Sequence, residues 1–268
     1  MNPIGNSLAP FQRRRPISWQ QASAVFAVLL LVVLAVFFLR WEWVPSYAGL
    51  FAQGLYCTIL LLAVSCVAGF ALAVPIALAI ASGPFLVSAP AKAFCSVIRG
   101  TPFLIQLWLV YYGLGSLFPL FPELRTTVLW PYLREAMPYA IIALTINFAG
   151  YEAEVMRGAF TSVDRGQLEA ARAFGMNRRT AFRRIWFPLA FYRALPTLTG
   201  ETVLQLKSTP LVATISVLDV FAASSRVRQE TYLTYEPLLV VAAVYVCITG
   251  AIVFISRKLE SRLPTRIG

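Results

Sequence analysis

Residues 169–188 read EAARAFGMNRRTAFRRIWFP, a charged stretch set between two long apolar segments. Asp164 is a suitable helix N-cap, and Gln167 lies three residues later, where its side chain can reach back to the backbone N–H of the cap. Gly175 can close that helix in the left-handed conformation, and Asn177 can cap another one. The sequence therefore predicts a helix, a turn and a second helix.

The second helix has an apolar face and a basic face. Its apolar residues recur at i, i+1, i+4, i+5 and i+8, which gathers them on one side. They are Ala181, Phe182, Ile185, Trp186 and Leu189, and the residues largely outside that arc are Arg179, Arg183 and Arg184. One interpretation is an amphipathic segment on the inner leaflet, where the arginines meet anionic lipid.

The spacing of the stretch supports a second interpretation, which is docking to another protein. The stretch contains Glu169-Ala170-Ala171, then Gly175 after three residues, and then Ile185, Phe187 and Pro188 after nine more. This pattern resembles the signature of ABC importer permeases. Only Phe187 departs from it, because leucine is usual there. In that family the loop carries a coupling helix that docks into the ATPase subunit. The resemblance implies this role for Glu169, Ala170, Ala171, Gly175, Ile185 and Pro188. Small alanines beside a carboxylate allow close approach to a basic partner.

The composition is that of an integral membrane protein. Of the 268 residues, 59% are hydrophobic, whereas a soluble domain has about 45–50%. The net charge of +11 is compatible with nucleic acid binding. However, the basic residues lie between apolar segments, where the positive-inside rule explains them. We therefore expect contact with membrane lipid and none with nucleic acid.

The chemistry available to the chain is limited. It has no histidine, and its four cysteines lack metal-ligand spacing, so we expect neither a metal site nor histidine acid/base catalysis. None of its three lysines follows a glycine, so the phosphate-binding loop of ATPases is missing. We predict that the chain is not an enzyme and binds no cofactor. ATP and Mg²⁺ are then expected on a separate polypeptide.

Apolar segments predict an all-α protein with about six transmembrane helices. The predicted spans are Ala22–Leu39, Gly54–Ala81, Pro102–Phe118, Tyr139–Met156, Thr197–Val217 and Pro237–Ser256. The first run is long for a cleaved signal peptide and lacks a small-residue cleavage site. Thr101 is predicted to cap the third span, with Pro102 at its first helical position. Residues 118–138 are expected to form an outer loop, which either braces a binding protein or simply connects two spans. A short outer loop is expected at Arg226–Glu230.

The distribution of positive charge sets the orientation. Seventeen of the 23 lysines and arginines lie on the inner side of this arrangement and five on the outer side, with both termini in the cytoplasm. Related permeases commonly have five spans, so the first looks like an addition to this core. The predicted organisation is a cytoplasmic tail (1–21), the added helix and an outer loop (22–49), the transmembrane domain (50–257) with its coupling loop (157–191), and a second cytoplasmic tail (258–268).

Polar residues inside the spans are candidate functional groups, because they are costly in a bilayer. Asn147, Tyr151 and Glu154 lie at i, i+4 and i+7 and form one stripe, while Glu152 lies about 200° around the helix from Glu154. The stripe either lines the translocation path and meets a cationic group of the substrate, or forms a clamp between helices. Gln106 and Lys207 are further candidates for the path, and Lys207 is expected to meet either a substrate carboxylate or a glutamate.

Three more segments resemble the polar amino acid subgroup of these permeases. They are Arg-Gly-Thr-Pro at 99–102 with Gln106, the segment 151–158, and the segment 207–211, in which Pro210 departs from the usual small residue. The resemblance implies a multi-pass permease of the bacterial inner membrane. It also implies a second permease subunit, identical or paralogous, a cytoplasmic ATPase dimer and an external solute-binding protein. The ending from Lys207 to Glu236, with Thr-Tyr-x-x-Tyr-Glu-Pro at 231–237, looks closest to permeases for basic amino acids and related opines. The alternative is a secondary transporter or channel, although the inverted repeats often seen there are not detectable.

Overall fold

The computed structural model describes residues 39–261, and every regular element in that range is helical. The helices are α1 (Val44–Ser82), α2 (Phe85–Gly100), α3 (Phe103–Trp108), α4 (Trp130–Leu133), α5 (Ala136–Ser162), α6 (Arg165–Ala173), α7 (Arg178–Ala181), α8 (Phe187–Ser208), α9 (Val220–Thr231) and α10 (Tyr235–Glu260). Turns of π-helix at Leu109–Gly113 and Phe182–Trp186 and of 3₁₀-helix at Phe118–Leu120, Pro122–Thr126 and Thr209–Ile215 join some of them. The predicted all-α class is confirmed.

The chain divides into two compact units at Trp43. In the short described part of the first unit, the indole N–H of Trp43 donates to the carbonyl of Arg40 at 3.0 Å. All helices named above belong to the second unit, which begins at Val44. The predicted first span falls almost wholly in residues 1–38, outside the described residues. The predicted count of six spans and the cytoplasmic termini therefore stay predictions.

Within residues 39–261, three helical segments are long and apolar enough to cross a membrane. They are Val44–Ser82, Phe103–Leu120 and Tyr235–Glu260. A fourth is added if Arg178–Ile215 and Val220–Thr231, which meet at 49°, form one broken span. The predicted span Tyr139–Met156 is the middle of α5, whose 27 residues include the polar stripe.

Helix α5 occupies the centre of the unit and packs against α1, α2 and α8. Small residues make this possible, since Ala140, Ala143 and Ala153 are almost completely buried. A Cβ atom at Gly150 would lie 2.5 Å from a methyl carbon of Ile98, so α2 and α5 approach each other closely at this glycine. Small residues at helix contacts are characteristic of membrane bundles, in which packing replaces hydrophobic burial between helices.

A second close approach joins α1 to the start of α9, and it provides a test of the packing. A Cβ atom on Gly54 would lie 2.7 Å from the backbone carbonyl oxygen of Asp219, whereas one on Gly49 would meet nothing within 4 Å. We expect Gly54→Ala to lower the free energy of unfolding by about 1–3 kcal/mol, because a backbone atom cannot rotate away. Thermal unfolding in detergent measures this, with Gly49→Ala of the same helix as the control. Equal melting temperatures for the two variants would contradict the packing.

The segment between the second and third predicted spans is helical, which the sequence analysis missed. Helix α2 spans residues 85–100, and the helical conformation is interrupted at Thr101 before α3 begins at Phe103. The predicted cap is therefore wrong by one residue. Pro102 occupies the N-cap position, and the Thr101 hydroxyl instead donates to the carbonyl of Val97 at 2.8 Å and closes α2.

The fifth predicted span and the loop after it also differ from the structure. The helical conformation is continuous from Arg178 through the π-helical turn into α8. The helix that contains the fifth predicted span therefore starts well before Thr197. The α-helix then gives way to 3₁₀-helix at Thr209, next to Pro210, whose ring disfavours an α-helix interior. The predicted outer loop at Arg226–Glu230 is wrong, because these residues lie in α9. A carboxylate oxygen of Asp219 caps that helix by accepting from the N–H of Ala222 at 2.7 Å.

Candidate functional site

The loop between α5 and α8 has the predicted helix-turn-helix form. The Asp164 carboxylate caps α6 by accepting from the N–H of Gly166 at 3.1 Å. Gly175 has a φ of +76° and closes α6, and the Asn177 side chain caps α7 by accepting from the N–H of Thr180 at 2.8 Å. The predicted reciprocal bond of Gln167 is wrong, since its buried carbonyl oxygen has no hydrogen-bond partner among residues 39–261.

The surface of α6 exposes two of its three predicted docking residues. Glu169 and Ala170 are exposed, but Ala171 is only 2% exposed and faces the interior of its own chain. Ala171 is thus buried within its own chain, and a direct contact of its side chain with the ATPase stays a prediction. Phe174, which the sequence analysis did not select, is 85% exposed at the end of α6. We call Glu169, Ala170 and Phe174 the docking tip.

An aromatic cluster fixes the loop to the C-terminal end of α5. Phe160 packs against Phe182, Trp186 and Phe187, with ring centroids 5.2–6.5 Å apart. The Trp186 indole N–H also donates to the carbonyl of Phe160 at 3.0 Å. Phe187, the one departure from the family signature, thus fills a place in this cluster. Ile185 and Pro188 are half-buried, so they are less accessible to a partner than the exposed tip.

A cavity of about 490 Å³ lies between the start of α3, α5 and α8, and we call it the central cavity. Three predicted path residues line it, namely Asn147, Tyr151 and Lys207. Arg99 and Glu201 also line it, and the sequence analysis did not select them as site residues. The ammonium of Lys207 has no ion-pair partner within the described range. The cavity thus presents positive and negative side chains to a polar ligand.

Gln106 does not line the central cavity. It is buried, and its amide N–H groups donate to the carbonyls of Ile98 at 2.7 Å and Thr101 at 3.0 Å. Its carbonyl oxygen accepts from the amide of Asn147 at 3.0 Å. Gln106 therefore satisfies carbonyls that the break between α2 and α3 leaves free and ties this break to α5.

This arrangement predicts a structural effect for Gln106→Leu. Because buried polar groups would lose their partners, we expect the free energy of unfolding to fall by about 1–3 kcal/mol. The affinity of the folded Gln106→Leu protein for its substrate should change little. Thermal unfolding and uptake measured over a range of substrate concentrations separate the two effects. An unchanged melting temperature together with a raised half-saturating concentration would instead place Gln106 on the substrate path.

Glu154 lies outside the central cavity, in a second cavity of about 400 Å³ nearer the loop. We call this the inner cavity. A carboxylate oxygen of Glu154 lies 2.5 Å from a guanidinium nitrogen of Arg157 and 4.0 Å from one of Arg99. The sequence left open whether Glu154 pairs with another charge or lines the translocation path. In the structure it forms an ion pair and also faces a cavity, so the question is answered only in part.

Glu152 points away from both cavities, as its position on α5 predicts. It is fully buried, and neither carboxylate oxygen has a hydrogen-bond partner in residues 39–261. A charged carboxylate without a partner is very costly in such a place. Among the described residues, no three His, Cys, Asp or Glu side chains are grouped so as to hold a metal ion.

The chain matches a family model described as binding-protein-dependent transport system inner membrane component, over residues 47–264. The octopine transport system permease protein OccM of Rhizobium meliloti is 42% identical over 177 residues, which cover 66% of this chain and 71% of the relative. The nopaline transport system permease protein NocM of Agrobacterium fabrum is 40% identical over 192 residues, or 72% of this chain and 78% of the relative.

Further comparisons agree with these. The histidine/lysine/arginine/ornithine transport system permease protein HisM of Salmonella typhimurium is 32% identical over 211 residues, which cover 78% of this chain and 88% of the relative. A crystal structure of an amino acid ABC transporter with histidines has 31% sequence identity and a TM-score of 0.71. It covers 84% of this chain and 99% of the solved one. The inward-facing MetNI methionine ABC transporter shares the fold at 19% identity, with a TM-score of 0.62.

Proposed function

This chain belongs to the family of inner membrane components of binding-protein-dependent transport systems, and from this premise we propose that it carries polar amino acids into a bacterial cell with energy from a separate ATPase. The observation that supports the proposal most strongly is the exposed docking tip on a rigidly anchored loop. Phe174, which is 85% exposed beside Glu169 and Ala170, supplies an aromatic side chain of the kind that is enriched in the cores of protein interfaces.

The central cavity supports amino acids as the substrate class. A zwitterion has a carboxylate and an ammonium group, and the cavity has cations and a carboxylate for them in Lys207, Arg99 and Glu201. Tyr151 and Asn147 also line the cavity and add polar groups to it. The names of the similar permeases refer to octopine, nopaline and basic amino acids, which favours basic amino acids or opines here.

The proposed partners follow from the family. They are a cytoplasmic ATPase dimer, which binds ATP and Mg²⁺, a second permease subunit, identical or paralogous, and an external solute-binding protein. The chain is proposed to lie in the inner membrane as a multi-pass protein with no ATPase activity of its own. Closure of the ATPase dimer moves the docking tip, and the aromatic cluster at Phe160 passes this motion to α5. The central cavity then changes its access from one side of the membrane to the other.

Uptake of radiolabelled L-arginine by cells lacking this gene, with and without a plasmid copy, tests the proposal. We expect the copy to restore uptake, and the restored uptake to stop when ATP is depleted. Dissipating the proton gradient while ATP is maintained should leave it intact. Restored uptake that follows the gradient instead of ATP would identify a secondary transporter.

A further inference from the structure

The inner cavity carries more positive charge than its own side chains neutralise. Its lining includes three cations, Lys92, Arg99 and Arg157, and a single carboxylate, Glu154. Glu154 lies close to both arginines. Lys92 is exposed and has no ion-pair partner within the part of the chain that the structure describes. One carboxylate therefore faces three cations, and the net charge of about +2 in a partly enclosed space attracts anions.

The two cavities lie one after the other along the same face of α5. Asn147 and Tyr151 line the central cavity, whereas Glu154, Arg157 and Thr161 line the inner one. Residues with spacings of three and four share a helix face, so this sequence forms one line towards the cytoplasmic loop. The inner cavity is thus the next polar space that a ligand meets on leaving the central cavity in this direction.

Arg99 connects the two cavities, because its side chain lines both of them. Its side chain is 47% exposed, and its guanidinium lies 4.0 Å from the Glu154 carboxylate, a distance beyond a good hydrogen bond. Arg157, in contrast, is held by Glu154 at 2.5 Å. Arg99 is therefore available to bind a ligand from either side, while Arg157 is fixed in place.

We propose that the inner cavity is a second binding site, which takes the carboxylate of the amino acid after it leaves the central cavity. The proposal rests on the proposed function. Arg99 binds the carboxylate from the central cavity, and Lys92 and Arg157 bind it next in the inner cavity. Inorganic phosphate and the headgroup of an anionic lipid have a related charge, so the experiment includes both as competing ligands.

The test uses Ser96→Cys, because Ser96 is exposed and lines the inner cavity. The variant is made in a chain with Cys247→Ser, which removes the exposed native cysteine, and is assembled with its partners in inside-out vesicles. Two water-soluble methanethiosulfonates, one with a sulfonate and one with a trimethylammonium group, modify the thiol. The same chain with Ser96 gives the background rate.

We expect the anionic reagent to modify the variant at least about tenfold faster than the cationic one, since a cleft of one sign concentrates opposite charge. L-arginine should slow the modification, and agmatine, which is arginine without its carboxylate, should not. Adding Lys92→Gln should reduce the preference for the anionic reagent, whereas Lys92→Arg should keep it. Equal rates for the two reagents would overturn the proposal, as would protection by agmatine as strong as by L-arginine.

Two further results separate this proposal from the proposed function. If inorganic phosphate or vesicles rich in phosphatidylglycerol protect the thiol and L-arginine does not, the inner cavity binds phosphate groups and the carboxylate proposal is wrong. If the same vesicles carry L-arginine normally but the thiol shows no preference between reagents, the inner site is refuted and the proposed function stands. If these vesicles transport no amino acid, the proposed function is wrong, and the proposal that the inner cavity binds the carboxylate of a transported amino acid is wrong with it.

Discussion

Replacing Phe174 with aspartate is expected to abolish ATP-driven uptake while the chain still inserts into the membrane. Phe174 is 85% exposed, so the change removes no contact of the chain's own core. A buried aromatic anchor at an interface contributes at least about 2 kcal/mol, and its loss weakens binding about 30-fold or more. Uptake in cells and the amount of ATPase that copurifies with the chain measure the effect.

The control for this prediction is Phe174→Tyr, which keeps the ring. We expect it to retain most uptake. Ala170→Arg, also on the docking tip, should act like Phe174→Asp, whereas Ala171→Arg should unfold the loop because Ala171 is buried. Normal uptake by Phe174→Asp, at normal levels in the membrane, would mean that this residue does not contact the ATPase.

Replacing Lys207 with glutamine is expected to reduce uptake at low substrate concentration by about tenfold or more, because the ligand carboxylate loses a hydrogen bond to a charged group, which contributes about 1.5–3 kcal/mol. Lys207 lines the central cavity. Since no described residue forms an ion pair with it, a loss of activity cannot be attributed to a broken internal salt bridge. The ATPase should still copurify with the variant.

The matched control is Lys258→Gln, which removes an exposed lysine near the C-terminal end of α10. It should transport normally. The half-saturating substrate concentration and the maximal rate distinguish a binding defect from a coupling defect, and we expect the first to change most. If Lys207→Gln and Lys258→Gln transport equally well, Lys207 does not bind the substrate.

Three local signals in the loop between α5 and α8 predicted its structure correctly, whereas the local predictions for Thr101 and Gln167 were wrong. The caps Asp164, Gly175 and Asn177 act through bonds to residues at most three positions away, so short-range rules suffice for them. The stripe on α5 was predicted for a similar reason, because helix periodicity alone puts Asn147 and Tyr151 on one face.

The errors and gaps arise where tertiary contacts decide the outcome. Ala171 is equivalent to Ala170 in the signature, and only the packing of α6 on its own chain distinguishes the buried residue from the exposed one. Helix α9 was missed because its charged residues were taken for a loop, although Asp219 before it is a standard N-cap. Gln106 was placed on the path because sequence spacing does not reveal its partners at the end of α2 and on α5.

The most direct test of the account is a gentle detergent purification of this chain from its native membrane, with mass spectrometry of the proteins that copurify. We expect an ATPase with a Walker-type phosphate-binding loop, together with a permease subunit, and loss of the ATPase from the Phe174→Asp variant. Recovery of the intact, transport-competent chain without any ATPase would contradict the account.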